Sequence, residues 1–355
     1  MLFNVRMWHL FVSLASPKIL SLEKTQIKFG FLLTYSYLCS MKYETLWRRL
    51  TGIYDTDEAK AIVRWVLDVR FGLSLTDIVC GKVDELPAAA LAELEAMMQR
   101  LEAAEPVQYV VGVAEFCGRQ FHVEPGVLIP RPETGEMVRW MLEESGKRKE
   151  EREYQRGGYQ ILDIGTGSGC IAITLALEMK EAKVTAWDVS DDALRIAKKN
   201  AEALKADVTF EKQDILKLEE QNISLTIPEQ SSPTRSLSHL SPLTSKFPLT
   251  SKSFDLIVSN PPYVCDKEKA AMERHVLEHE PHLALFVPDD DPLRFYRAIA
   301  LYAKEALKPG GQLYFELNPL YARETEGLLQ DLGFAETDIK PDMFGKQRFL
   351  KAKKI

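Results

Sequence analysis

From Tyr159 onward the chain alternates short apolar runs with helical patterns, and this alternation restricts the fold more than any other feature. Gln160–Asp163, Lys183–Asp188, Val208–Lys212, Phe254–Ser259 and Gly311–Leu317 read as strands. Helical patterns fall between and after them at Ser168–Met179, Asp191–Ala203, Leu293–Leu307 and Ala322–Leu332. Apolar strands separated by helices imply a mostly parallel sheet covered on both faces, an α/β fold. A closing hairpin is expected around Glu336–Lys340 and Gln347–Ala352.

The first of these strands runs into Asp163-Ile164-Gly165-Thr166-Gly167-Ser168-Gly169, which opens a helix. Glycines there let the backbone turn sharply and approach a ligand closely, beside helix N-terminal amides. Asp188 ends the second strand, where a carboxylate accepts hydrogen bonds from both hydroxyls of a ribose. NAD and S-adenosylmethionine both use that arrangement, and the glycine spacing separates them. The pattern here is G-x-G-x-G after an acidic residue, not the G-x-G-x-x-G/A that makes room for a pyrophosphate. The absence of Gly-Lys-Ser/Thr excludes a P-loop. The cofactor candidates are therefore Gly165, Thr166, Gly167, Ser168, Gly169 and Asp188, for S-adenosylmethionine. Asp214, after the third strand, is expected near an adenine amino group, with Ile215 beside the ring. The competing reading of these two is a loop carboxylate and a core side chain.

Asn260-Pro261-Pro262-Tyr263 follows the strand Asp255–Ser259, which places it at the carboxyl ends of the strands beside the same crevice. An amide or aromatic amine nitrogen has a delocalised lone pair and attacks a sulfonium methyl poorly. A site that holds both N–H groups, through the Asn260 side-chain oxygen and the Pro261 carbonyl, orients that nitrogen and favours its pyramidalisation. Tyr263 packs over the planar group. Displacement at the charged sulfur then needs mainly positioning and electrostatics. A bare proline-rich turn is the competing reading, and the upstream glycine turn counts against it.

The formal net charge is -7. Residues 1–40 carry Arg6, Lys18, Lys24 and Lys28 against Glu23 alone, so the rest of the chain stands at -10. A body that acidic pairs poorly with a phosphate backbone, whose neutralisation by Lys and Arg drives most nucleic-acid affinity. Direct nucleic-acid binding is not expected. Cys39, Cys80, Cys117, Cys170 and Cys265 are odd in number and widely spaced, which suits a reducing, cytoplasmic setting. No run approaches the ~18 consecutive apolar residues of a membrane span. His275, His279 and His282 lie close in sequence, but a metal site needs fixed geometry and methyl transfer needs no metal.

Residues 41–104 read as short helices, with Leu46, Leu50 and Ile53 on one face and Ala61, Val63, Trp65, Val66 and Leu67 more buried. Thr76 and Asp77 mark a cap or turn, and Leu91–Leu101 is a further helix. This is expected to be a helical recognition domain. Residues 105–132 read as a β-hairpin linker, with strands at Val107–Gly112 and Gln120–Val123 on either side of Gly118. The prolines of Pro130-Arg131-Pro132-Glu133-Thr134 hold an extended segment ahead of a helix at Glu133–Glu144. The α/β domain spans 133–355. It is interrupted at 219–253 by a Ser-, Pro- and Thr-rich stretch that repeats Pro-Leu-Thr-Ser-Lys and reads as a disordered surface insertion.

Pro130–Thr134, Asp163–Gly169, Ser259–Tyr263 and Glu280-Pro281-His282-Leu283-Ala284-Leu285 occur in one order and spacing. In these the chain resembles the release factor glutamine methyltransferase family (HemK/PrmC), from Met41 to the C-terminus except 219–253. The resemblance implies a helical N-terminal domain, a hairpin linker and a seven-stranded Rossmann-like methyltransferase sheet. It implies N5-methylation of the glutamine in the Gly-Gly-Gln motif of peptide chain release factors, with S-adenosylmethionine as donor. Gly165 through Gly169, Asp188 and Asn260 would contact the donor, and Asn260 through Tyr263 the glutamine. Gly135 replaces the acidic residue common after Pro-Glu-Thr, and Ile215 stands where the family often has an aromatic. Phe116 and the Pro130–Thr134 loop are candidates to line the site. The rival reading is an adenine-N6 methyltransferase of DNA or RNA, which uses the same Asn-Pro-Pro-Tyr logic but needs basic surfaces to extract a base.

Residues 1–40 show no clear period and no signal-peptide layout, whereas an amphipathic pattern begins at once after Met41. We therefore expect native translation to begin at Met41. Intact-mass measurement of the native protein checks this, and a mature N-terminus upstream of Met41 would refute it.

Overall fold

The computed structural model describes residues 42–147, 158–219 and 253–355. The extension at 1–40 and nearly all of the 219–253 insertion lie outside the described residues. The chain divides between Val111 and Gly112 into two units.

The first unit is helical: α1 (Tyr43–Leu50), α2 (Thr56–Phe71), α3 (Leu75–Val79), α4 (Ala88–Glu102) and α5 (Val107–Val111). Local chemistry sets the boundaries. The Asp55 side chain accepts from the Asp57 and Glu58 amides to start α2, and Gly72 stops it in the left-handed conformation. Ser74 and Asp77 form a capping box at α3, so the cap lies two residues before Thr76. Leu46, Leu50, Val63, Val66, Leu67, Leu94 and Met98 fill the core, while Ala61 and Ile53 face solvent and Ile62 is buried instead. Arg49 clamps α1 to α4 through Glu95 at 2.7 Å and Glu102 at 2.6 Å.

The strand expected at Val107–Gly112 is instead the helical turn α5. Pro106 opens it, its carbonyl accepting from the Tyr109 and Val110 amides. The Arg100 guanidinium donates to the Tyr109 and Val110 carbonyls, and Val110 packs into the helical core. These tertiary partners override the β preference of the Val-Gln-Tyr-Val-Val run. The hairpin begins later, as β1 (Val113–Phe116) and β2 (Arg119–His122), joined by Cys117 and Gly118, both with positive φ.

The second unit carries a seven-stranded sheet: β3 (Tyr159–Ile164), β4 (Ala182–Asp188), β5 (Val208–Lys212), β6 (Phe254–Ser259), β9 (Leu307–Glu316), β10 (Phe334–Pro341) and β11 (Gln347–Lys354). The short pair β7 (Val264–Cys265) and β8 (Phe286–Val287) lies apart from it. The order is β10-β11-β9-β6-β3-β4-β5, with β5, β4, β3, β6 and β9 parallel and β11 antiparallel to both its neighbours. This is the expected Rossmann-like sheet. Alternate residues feed opposite faces, as a period of two requires. Ile161, Val258 and Tyr314 pack with α6 (Pro132–Lys147) and α7 (Cys170–Glu178). Leu162, Ile257, Leu313 and Phe315 pack against α9 (Arg294–Ala306) and α10 (Ala322–Asp331). The remaining crossover helix, α8 (Asp191–Leu204), joins β4 to β5. No helix among the described residues is long and apolar enough to cross a membrane.

One buried side chain of α8 holds three segments in register. Asn200 accepts from the His122 amide at 2.7 Å and donates to the carbonyls of His122 at 3.0 Å and Ser168 at 2.9 Å. Truncation leaves those backbone groups buried without partners, at roughly 1–3 kcal/mol each in the worst case. Asn200→Ala is therefore expected to lower unfolding free energy by about 2–4 kcal/mol in chemical denaturation. A loss under about 0.5 kcal/mol would show that these contacts are not needed.

Candidate functional site

The sheet order reverses between β3 and β6. The chain leaves β3 toward β4 and β5, and leaves β6 toward β9. Loops that diverge from neighbouring strand ends leave a crevice at their carboxyl edge. Hydrogen bonds tie the strand ends there: Ser259 Oγ donates to the Ile164 carbonyl at 2.6 Å, and the Gly165 and Thr166 amides both donate to the Trp187 carbonyl at 2.9 Å. The crevice holds a cavity of about 290 Å³.

Of the residues singled out in the sequence, Gly165, Gly167, Asp188, Asp214, Ile215, Asn260, Pro261 and Pro262 line this cavity together. Gly165 and Gly167 have φ of +76° and +56°, and a Cβ on either would meet open space. Backbone conformation, not packing, calls for glycine at these two positions. The Gly167 amide donates to Asp188 Oδ2 and the Ser190 amide to Oδ1, each at 2.9 Å. The carboxylate is thus held rigidly, with acceptor capacity left for a ligand. Burial raises the Asp188 pKa, against the pull of those amides.

Thr166, Ser168 and Gly169 are not in the lining. Thr166 Oγ1 donates to Asp163 Oδ2 at 2.7 Å, and the Ser168 carbonyl accepts from Asn200. Gly169 also has a positive φ, +81°, and a Cβ there would come within 2.8 Å of Ile173 in α7 and 3.1 Å of Ala197 in α8, so this glycine serves close packing as well as the turn. For Asp214 and Ile215 both readings apply. Asp214 Oδ1 accepts from the Leu216 amide at 3.1 Å while facing the cavity, and Ile215 is both core and wall.

The Asn260 end is organised by groups that sequence reasoning did not assign. Asn260 Nδ2 donates to Thr134 Oγ1 at 3.2 Å, and Thr134 Oγ1 donates to Glu316 Oε2 at 2.6 Å. Tyr263 is not in the lining; its hydroxyl donates to Glu316 Oε1 at 3.0 Å, and its carbonyl accepts from Asn318. Burial pushes the Glu316 pKa up, against the pull of Thr134, Arg348 and Tyr263. Burial also raises the Tyr263 pKa, as does the adjacent Glu316 charge. A usable signal existed: Glu316, like Asp188, is an acidic residue that ends an apolar strand on the carboxyl edge.

The Pro130–Thr134 and Glu280–Leu285 motifs meet through Glu280, whose fully buried carboxylate binds Arg131 at 2.5 Å and the Ile129 amide at 3.1 Å. Pro281, Leu283 and Ala284 then form part of the cavity wall. Phe116 does not reach it. It is buried against Phe121, ring centroids 5.9 Å apart, with Gly135 beside it. His282 donates or accepts within its own segment, at 2.9 Å from the Leu277 carbonyl. Among the described residues no three His, Cys, Asp or Glu side chains are grouped to hold a metal.

Asp163 lies just behind the glycine turn, fully buried, and burial pushes its carboxyl up to about 7. Unfolded, it ionises near 3.8; folded, it keeps its proton up to about 7. Its contribution to stability is complete below the lower value and is lost as pH rises through the upper one. Asp163→Asn should therefore gain stability relative to the parent between pH 4 and 7, on the order of 4 kcal/mol, and level off above. Denaturant titrations at pH 4, 5.5, 7 and 8 read this directly; a difference flat across the range would refute it.

A family model described as the PrmC N-terminal domain matches residues 47–112, and one described as a methyltransferase domain matches residues 155–232. The release factor glutamine methyltransferase of Bacteroides thetaiotaomicron is 43% identical over 303 residues, covering 85% of this chain and 95% of that protein. Its counterpart in Flavobacterium psychrophilum is 39% identical over 302 residues, covering 85% and 94%. A solved methyltransferase structure from Pyrococcus furiosus aligns at 17% identity over 73% of this chain and 97% of that one, with a TM-score of 0.41. The chain belongs to the release factor glutamine methyltransferase family.

Proposed function

We propose that this chain methylates the side-chain amide nitrogen of the glutamine in the Gly-Gly-Gln motif of peptide chain release factors, with S-adenosylmethionine as donor. One observation carries the reading: a single cavity joins the glycine turn and Asp188 to Asn260, Pro261 and Pro262. Its residues fit the donor. Asp188 offers carboxylate oxygens to ribose hydroxyls, Ile215 and Ile299 give an apolar wall suited to an adenine, and Asp214 lies beside them for its amino group. The bound donor supplies an electrophilic methyl group on a positively charged sulfur.

The chain's own task is then to position a poor nucleophile. The Asn260 side-chain oxygen and the Pro261 carbonyl accept from the two N–H groups of the glutamine amide, holding its nitrogen in line. Pro262 confines the planar group, and Tyr263 stands behind the lining with its hydroxyl on Glu316. The apolar wall excludes water, which strengthens each polar contact inside. We assign the helical N-terminal unit to recognition of the release factor. The acidic charge of the chain favours this substrate over a nucleic acid.

Labelled methyl transfer, offering purified release factor and DNA side by side, is the direct test. Label is expected on the release factor, in the peptide bearing the glutamine; label on DNA and none on the release factor would overturn the assignment. Asn260→Ala is expected to lower kcat by about 100-fold or more while changing unfolding free energy by about 1 kcal/mol or less. Near-normal turnover would remove Asn260 from the reaction.

A further inference from the structure

An Asn side chain is nearly symmetric in shape, and its oxygen and nitrogen fit the same space in either orientation. Only one orientation serves a substrate N–H, so something must choose it. An ionised carboxylate can only accept hydrogen bonds. In its ionised form, which Arg348 and its hydroxyl donors favour against burial, Glu316 at the end of β9 takes one donor on each oxygen: the Thr134 hydroxyl at 2.6 Å and the Tyr263 hydroxyl at 3.0 Å. A hydroxyl has one proton to give. With that proton committed to Glu316, the Thr134 oxygen can only accept, and it accepts from Asn260 Nδ2 at 3.2 Å. The Asn260 nitrogen is thereby turned toward Thr134, and its oxygen is left to be the acceptor.

We infer that Glu316 and Thr134 are positioning residues that set the side-chain amide orientation of Asn260, and through it the polarity the site presents to the substrate. This rests on the function proposed above. The consequence is regiochemical. A primary amide offers two atoms to an electrophile, and its oxygen is intrinsically the more nucleophilic. An Asn260 held with oxygen outward binds the NH₂ end and repels the carbonyl end. A flipped Asn260 would set donor against donor at the nitrogen and would favour the wrong end.

Steady-state kinetics on release factor, with wild type, Thr134→Ser, Thr134→Val, Glu316→Gln and the Thr134→Val/Glu316→Gln double variant, tests the relay. Thr134→Ser keeps the hydroxyl and is expected to hold kcat within about 3-fold. Thr134→Val should lose about 10- to 100-fold in kcat, with KM for both substrates within about 3-fold. Glu316→Gln has one amide proton pair too many and should lose a similar factor. The double variant should be no worse than the poorer single, as for residues acting through one atom. A second readout needs no turnover. The Asn260 side-chain NH₂ signals, identified by their loss in Asn260→Ala, should be protected from hydrogen exchange in wild type and Thr134→Ser and unprotected in Thr134→Val. If Glu316→Gln fails to fold, the Val and Ser variants carry the test alone. Wild-type kcat in folded Thr134→Val, or losses that multiply in the double variant, would overturn the relay and leave the function standing. A wild type that transfers no methyl to release factor glutamine overturns both.

Discussion

The parallel pairing of β3 with β6 is the contact on which the rest of the molecule's chemistry depends. Ile161 to Ile164 run beside Leu256 to Ser259, and the two chains then leave in opposite directions. That divergence opens a crevice where backbone amides and carbonyls at the strand ends have no further strand to pair with. The protein satisfies some of them internally, as with Ser259 Oγ on the Ile164 carbonyl. The Gly165 and Gly167 amides are likewise taken, by the Trp187 carbonyl and by Asp188, while both residues line the cavity at positive φ. The glycine turn and the Asn260 motif are adjacent because their strands are adjacent, although about a hundred residues separate them in sequence.

Buried charge is handled in the same way throughout this edge. Each acidic group near the cavity is given donors: Asp188 two backbone amides, Glu280 an arginine and an amide, Glu316 two hydroxyls. A buried charge without such partners would cost several kcal/mol or take up a proton instead. Asp163 does the latter, since the Thr166 hydroxyl and the Ala172 amide do not offset complete burial. The partners also fix direction. Carboxylates accept and do not donate, so each orders the protons of its neighbours and holds a rigid arrangement of donors and acceptors around the cavity.

The elements that were legible from sequence are those whose signal is local. Strand and helix periods located the sheet and its crossovers, and a turn such as Asp163–Gly169 declares its backbone conformation in its own glycines. The reading failed at Val107–Gly112, where β-favouring residues form a helical turn because Pro106, Arg100 and the helical core supply its partners. Phe116, a candidate to line the site, is turned by the hairpin into the core against Phe121.

By itself the sequence determined the fold class and that the glycine turn, Asp188 and the Asn-Pro-Pro motif lie at strand ends, because hydrophobic period, glycine spacing and strand-end position are properties of contiguous residues. Only the tertiary structure decided which motif residues face the cavity, that Gly169 serves packing as well as the turn, and that Thr134 and Glu316 stand behind Asn260. Those two lie 126 residues before it and 56 after it in the chain. Nothing local to either predicts the other. Their meeting depends on β9 lying beside β6 and on α6 starting over the ends of both, and hydrogen-bond partnership is a matter of ångströms in space.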